Sequence, residues 1–218
     1  MLLPLLTALN VVVVGDSHLT AQGYLITTLH DRLTSMGANV HTVGVCGTNA
    51  GDWTHATPGT CGGAERTGKA ALKKVDAIAT RPIKELAAAD KANLIVVVMG
   101  DTMAAYSKPD FPMAWAWQNV SALTADIATT GATCVWVGPP WGSEGGKYGK
   151  TFDRVELMSQ FLGNNVAPCV YLDSLRLSKK GEWGTTDGQH LTLPAYKAWG
   201  TAIADAIKTL PALAGQLK

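Results

Sequence analysis

The sequence predicts a three-layer α/β/α sandwich around a five-stranded, mostly parallel sheet. Two observations carry this. Short runs rich in Val and Ile, apolar on both faces, recur along the chain, as buried parallel strands do. Between them lie longer amphipathic stretches of helical period, which is the alternation of a doubly covered sheet with right-handed crossovers. No internal repeat, low-complexity segment or linker interrupts the alternation, so residues 1–218 read as one domain.

Taken in order, the strand-like runs are residues 10–14, 39–45, 93–99, 133–138 and 169–173. The helical stretches are "AQGYLITTLHDRLTSMG", "ERTGKAALKKVDAIATRPIKELAAADK", "MAWAWQNVSALTADIATTG", "TFDRVELMSQFLG" and "LPAYKAWGTAIADAIKTL". Pro82 should kink or split the second. Gly37, Gly131 and Gly163 read as helix stops. The apolar opening "MLLPLLTALN" has no basic flank and no clear cleavage site, and reads as a lead-in to the first strand rather than the end of a removed signal.

Composition narrows the function. With 47% hydrophobic residues, 16% charged residues and a formal charge of +1, nothing favours nucleic acid or an anionic membrane as partner. No run reaches the roughly 20 apolar residues of a membrane helix. There is no Cys/His metal spacing, and "GVCGTNAG" lacks a phosphate-loop lysine, so neither a metal nor a nucleotide cofactor is expected.

The four cysteines allow three full pairings, and the sequence does not choose among them. Cys134 and Cys169 each sit at the start of a strand and could lie side by side, while Cys46 and Cys61 bracket the loop "CGTNAGDWTHATPGTC". Paired cystines would place the protein in the periplasm or outside the cell.

In such a sheet, chemistry collects at the carboxyl ends of the strands. There stand Gly15-Asp16-Ser17, Cys46-Gly47-Thr48, Gly100-Asp101-Thr102 and Pro139-Pro140-Trp141, with the loop after Asp173 that leads to "TTDGQH". A serine becomes a nucleophile only beside a base that a third group orients. Of the five histidines, His30 falls in a helix and His41 in a strand, and His18 adjoins Ser17 with its side chain expected to point away. His190 has Asp187 three residues before it on the loop entering the last helix, which lets a carboxylate reach its Nδ1. Asp16 is expected to tie the turn through backbone hydrogen bonds.

"GDSH" after the first strand, a glycine after the second, a Gly-containing turn after the third and "DGQHLT" before the last helix together resemble the SGNH (GDSL-type) hydrolases, over nearly the whole chain. The resemblance implies a flavodoxin-like sandwich with Ser17 as nucleophile, His190 as general base and acid, and Asp187 as orienting carboxylate. The Ser17 and Gly47 amides would hold the oxyanion. The match breaks at the third block, where that family carries Gly-x-Asn-Asp. Here "MGDTMAAY" puts Thr102 at the asparagine and Met103 at the aspartate. An oxyanion donor is typically worth about 100- to 1000-fold in turnover, so Thr102 must substitute or water attack must not be the reaction that matters.

Some members of that family are O-acetylesterases or O-acetyltransferases of bacterial polysaccharides. The implied function is therefore a serine-dependent esterase or acyltransferase acting on O-acetyl groups of a carbohydrate, within a polysaccharide-synthesis complex if the resemblance extends that far. A lipase- or thioesterase-like hydrolase and a catalytically faded polysaccharide-binding domain are the alternatives. Seven tryptophans are many for this length. Trp53, Trp141 and Trp183 fall in rim loops and are expected to form a sugar platform, with Trp136 and Trp199 in the core. The Gly-rich "PPWGSEGGKYGK" reads as a mobile rim loop that closes on substrate.

Overall fold

A computed structural model describes Leu6 and residues 9–213; residues 1–5, 7 and 8 of the apolar opening lie outside the described part. One seven-stranded sheet runs through the molecule in the order β4-β3-β2-β1-β5-β6-β7. Its strands are β1 (Asn10–Gly15), β2 (Asn39–Val45), β3 (Gly63–Thr67), β4 (Lys73–Val75), β5 (Leu94–Val98), β6 (Thr133–Val137) and β7 (Val170–Leu172). The five expected strands are β1, β2, β5, β6 and β7, all parallel to one another. The helices are α1 (Leu25–Ser35), α2 (Ile83–Asp90), α3 (Met113–Ala128), α4 (Phe152–Asn165) and α5 (Leu193–Lys208).

Because successive side chains of a strand point to opposite faces, the valine run of β1 feeds two cores. Val11 and Val13 join Leu25, Leu29 and Leu33 of α1 and Tyr196, Trp199 and Ile203 of α5 on one face. Val12 and Val14 join Ile83 of α2, Val120 and Leu123 of α3 and Met158 of α4 on the other. A strand with no polar side chain in its middle can turn chemical only where it stops. That places Ser17 at the rim.

The sheet is larger than expected because β3 and β4 extend it as antiparallel strands beyond β2. They come from "ERTGKAALKKV", whose polar, Lys-rich composition looks helical but suits an exposed sheet edge. The helix expected over this whole region is reduced to α2, with Pro82 as its N-cap. Gly37 and Gly131 lie just past α1 and α3 at φ of 98° and 73°. Gly163 is no stop: α4 runs on to Asn165, with Gly163 facing the Tyr171 ring.

Two disulfides form, Cys46–Cys61 and Cys134–Cys169. The second ties the start of β6 to the start of β7 across 35 residues of chain. In the chain-entropy picture a loop of that length is stabilised by about 4 kcal/mol. Replacing Cys134 and Cys169 together by alanine should therefore lower the urea unfolding free energy by roughly 2–4 kcal/mol, read by linear extrapolation with each protein's own slope, which should steepen in the variant as its unfolded chain expands.

Candidate active site

Asp16 closes the turn after β1: one carboxylate oxygen accepts the His18 amide at 3.1 Å, and a single 3-10 turn, Ser17–Leu19, follows. This is the structural role its position suggested. The second oxygen is buried without a partner among the described residues, and burial pushes its pKa up. The turn raises Ser17 into a cleft of about 310 Å³ lined by Ser17, Gly47, Thr60, Thr102, Tyr106, Tyr148 and Gln189, among others.

The loop before α5 supplies the partners. Asp187 folds back over its own turn: Oδ1 accepts the amides of His190 at 2.8 Å and Gln189 at 3.0 Å, and Oδ2 lies 2.7 Å from His190 Nδ1. Since an ionised carboxylate only accepts, Nδ1 carries the hydrogen and Nε2 is the free acceptor. Ser17 Oγ lies 2.7 Å from that Nε2 and donates to it. Burial alone would raise the Asp187 pKa; the hydrogen bonds from the His190 ring and the two amides outweigh it and hold the carboxyl below its usual value. The His190 ring is further set by Tyr24, stacked at 6.1 Å, and by Tyr148, edge-on at 5.7 Å.

Across the cleft, Gly47 sits at φ +78°, in the left-handed region that favours glycine. Among the described residues, neither its amide nor that of Ser17 is given to a protein carbonyl. The Thr102 hydroxyl also has no hydrogen-bond partner. Two backbone donors, the Ser17 and Gly47 amides, thus stand at the cleft with no internal acceptor among the described residues, while the Thr102 hydroxyl is buried.

The tryptophan platform is not there. Trp53 is fully buried beneath α3 with Ala50, Ala116 and Val120. Trp183 packs in the α1–α5 core. Trp141 is 8% exposed, donates its indole N–H to the Leu175 carbonyl and lies edge-on to Phe152, with Lys180 over its ring. None lines the cleft. Rim loops of this length need large side chains beneath them, and these three provide that packing. Trp136 and Trp199 are in the core as expected, and the tryptophans left exposed are Trp115 and Trp117 at the start of α3. Tyrosines line the cleft instead: Tyr106 and Tyr148.

Below the serine lies a group of residues that the sequence did not bring together. His18 does point away from Ser17, but into a buried network. Its Nε2 donates to Asp101 Oδ2 at 2.8 Å and its Nδ1 accepts from the Tyr196 hydroxyl at 2.7 Å. Asp101 Oδ1 accepts Lys150 Nζ at 2.8 Å and the Tyr106 hydroxyl. His30 and His41 are structural: His30 bridges Thr42 and the Gly68 carbonyl, and His41 sits between Asp90 and Glu65.

The rim loop is docked rather than loose. Ser143 and Lys147 donate their amides to the carbonyls of Gly188 and Asp187, both at 2.9 Å. Gly188 has φ +94°, and a Cβ there would stand 2.6 Å from the Gly145 carbonyl oxygen. Gly145 has φ +77°, and a Cβ there would meet nothing within 4 Å. Gly188→Ala should then cost about 1–3 kcal/mol more than Gly145→Ala in urea unfolding, because both bear the strain of positive φ and only the first adds a backbone clash.

No family model matches the chain. A curated relative, Protein BcsX of Komagataeibacter xylinus, is 42% identical over 212 residues, which cover 96% of this chain and 79% of that protein. Among solved structures, the lipase/acylhydrolase from Enterococcus faecalis superposes with a TM-score of 0.62 at 16% identity, covering 96% of this chain and 98% of that one. A peptidoglycan O-acetylesterase gives 0.57 at 12% identity, covering 93% and 91%. The sheet and its flanking helices agree with these likenesses: the chain belongs to one family with Protein BcsX, built on the SGNH (GDSL-type) hydrolase fold.

Proposed function

We propose that the protein is a serine-dependent esterase or acyltransferase acting on O-acetyl groups of a carbohydrate, with Ser17, His190 and Asp187 as its triad. The observation that carries this reading is the unbroken relay from Asp187 through His190 to Ser17, with both steps at 2.7 Å. Ser17 Oγ attacks the acetyl carbonyl as His190 Nε2 takes its proton. The amides of Ser17 and Gly47 hold the developing oxyanion, and Thr102, whose buried hydroxyl has no partner among the described residues, supplies a third donor once its side chain turns toward the cleft. As the tetrahedral intermediate collapses, His190 returns the proton to the departing alcohol oxygen and the acetyl group stays on Ser17. A water or a second sugar hydroxyl, deprotonated by His190, then removes it.

The size and lining of the cleft support a short acyl group. About 310 Å³ edged by Ser, Thr, Tyr and Gln side chains suits an acetyl ester on a polar alcohol better than a long acyl chain. Likeness in fold to a peptidoglycan O-acetylesterase supports the same substrate class. An intact relay speaks against a faded binding domain. The two disulfides support a periplasmic or secreted location, where acetylated polysaccharide would be the partner.

The test is aryl-acetate turnover by wild type and Ser17→Ala, with and without short oligosaccharides, following both phenolate and acetylated sugar. Ser17-dependent release with acetylated sugar makes the protein a transferase; Ser17-dependent release of acetate alone makes it an esterase. Equal inertness of the two proteins overturns the reading. On acidification activity should fall as one proton is taken up, because His190 must be neutral while Asp187, held below its usual range, stays ionised. A limiting slope of two in log(kcat/KM) against pH would contradict this assignment.

A further inference from the structure

Lys150 closes the rim segment, and its side chain is wholly buried beneath the cleft. Nζ donates to Asp101 Oδ1 at 2.8 Å and to the Pro140 carbonyl at 2.9 Å, with neither Lys150 nor Asp101 side chain exposed. The Tyr106 ring lies 5.4 Å from the ammonium. Burying an ammonium is costly, and an apolar residue of similar volume would fill the space at no such cost. A charge in this place is better explained by what it fixes than by stability.

What it fixes is the hairpin that ends in it. Gly145 and Lys150 exchange backbone hydrogen bonds at 2.7 and 3.1 Å. From that hairpin and the residues before it, Lys147 reaches the Asp187 carbonyl, Ser143 reaches the Gly188 carbonyl, and Thr185 donates its hydroxyl to Ser143 Oγ at 2.9 Å. The loop that presents Asp187 and His190 therefore leans on the 142–150 segment. That segment is anchored to the floor by one ion pair. We infer that Lys150 is a positioning residue for the Ser17 site: paired with Asp101, it pins the 142–150 segment and through it holds Asp187 and His190 over Ser17. The catalytic consequence rests on the function proposed above; the coupling of the two loops does not.

The variants are Lys150→Met, which leaves Asp101 uncompensated, and Asp101→Asn/Lys150→Met, which removes both charges. Each is compared with wild type by amide hydrogen exchange and by aryl-acetate kinetics on the full chain. Exchange should quicken about 10-fold or more in residues 142–150 and 185–190 together, in either variant. kcat should fall about 10- to 100-fold with little change in KM, as expected when reacting groups are held slightly out of place. The double variant, which also alters the acceptor for His18 and Tyr106, should have a lowered unfolding midpoint but stay folded under the assay conditions and keep both defects. Wild-type exchange and kcat in the double variant, or quickened exchange confined to 142–150, would overturn the inference. In the wild type itself, both segments should share one opening free energy as urea is raised, and separate values would also overturn it. If the wild type turns over no aryl acetate, the functional reading fails while the exchange data still decide the coupling.

Discussion

Asp101 carries a negative charge with no exposed surface, and the polar architecture beneath Ser17 is arranged around that fact. A buried carboxylate must be met by donors or lose its proton. Here burial pushes its pKa upward, and the charge of Lys150 with the hydrogen bond from His18 more than reverses this, leaving the carboxyl far below its usual range. Its folded pKa lies below its unfolded value of about 4, so the ionised group stabilises the fold at higher pH, and that stabilisation drains away as pH falls from about 4 toward the folded value. In turn the carboxylate burdens its neighbours. Tyr106, buried and donating to it, is pushed well above the ordinary tyrosine range.

The requirement adds a side-chain connection between strand ends that the sheet already places side by side and ties the rim segment to them. His18 follows Ser17, Asp101 follows β5, Tyr106 lies on the loop after it, and Lys150 ends the rim segment. Asp101 accepts from the other three, which fixes the rim segment against the ends of β1 and β5. Tyr196 of α5 joins through His18, which brings the helix that follows the Asp187–His190 loop into the same network. Ser17 thus stands on a polar base instead of the apolar floor its neighbouring strands would suggest.

Much of this was legible in the chain, and the failures share a cause. Apolar runs such as "VVVV" and "LIVVV" fix strands because a segment buried on both faces has few other ways to be satisfied. The contact between Asp187 and His190 was legible because they are three residues apart and meet through their own turn. The β3–β4 edge was missed because an exposed strand need not be apolar, and "ERTGKAALKKV" carries helix-like composition. The tryptophans were misplaced because position in a rim loop says nothing about which way a large ring turns. Lys150 was invisible for a related reason: a lysine in a Gly-rich loop reads as solvated, and its partner lies 49 residues away.

The Cys46–Cys61 bond also has a place in the cleft, since both residues are part of its lining and Gly47 follows directly after Cys46. One wall of the cavity is therefore completed by an oxidation, where the others are completed by packing and hydrogen bonds. A newly made chain could bury its valines, seat its helices and bring serine, histidine and aspartate into line while this wall was still two separate thiols. Maturation of the cavity is in that sense a chemical event with its own timing, set by the oxidants the chain meets.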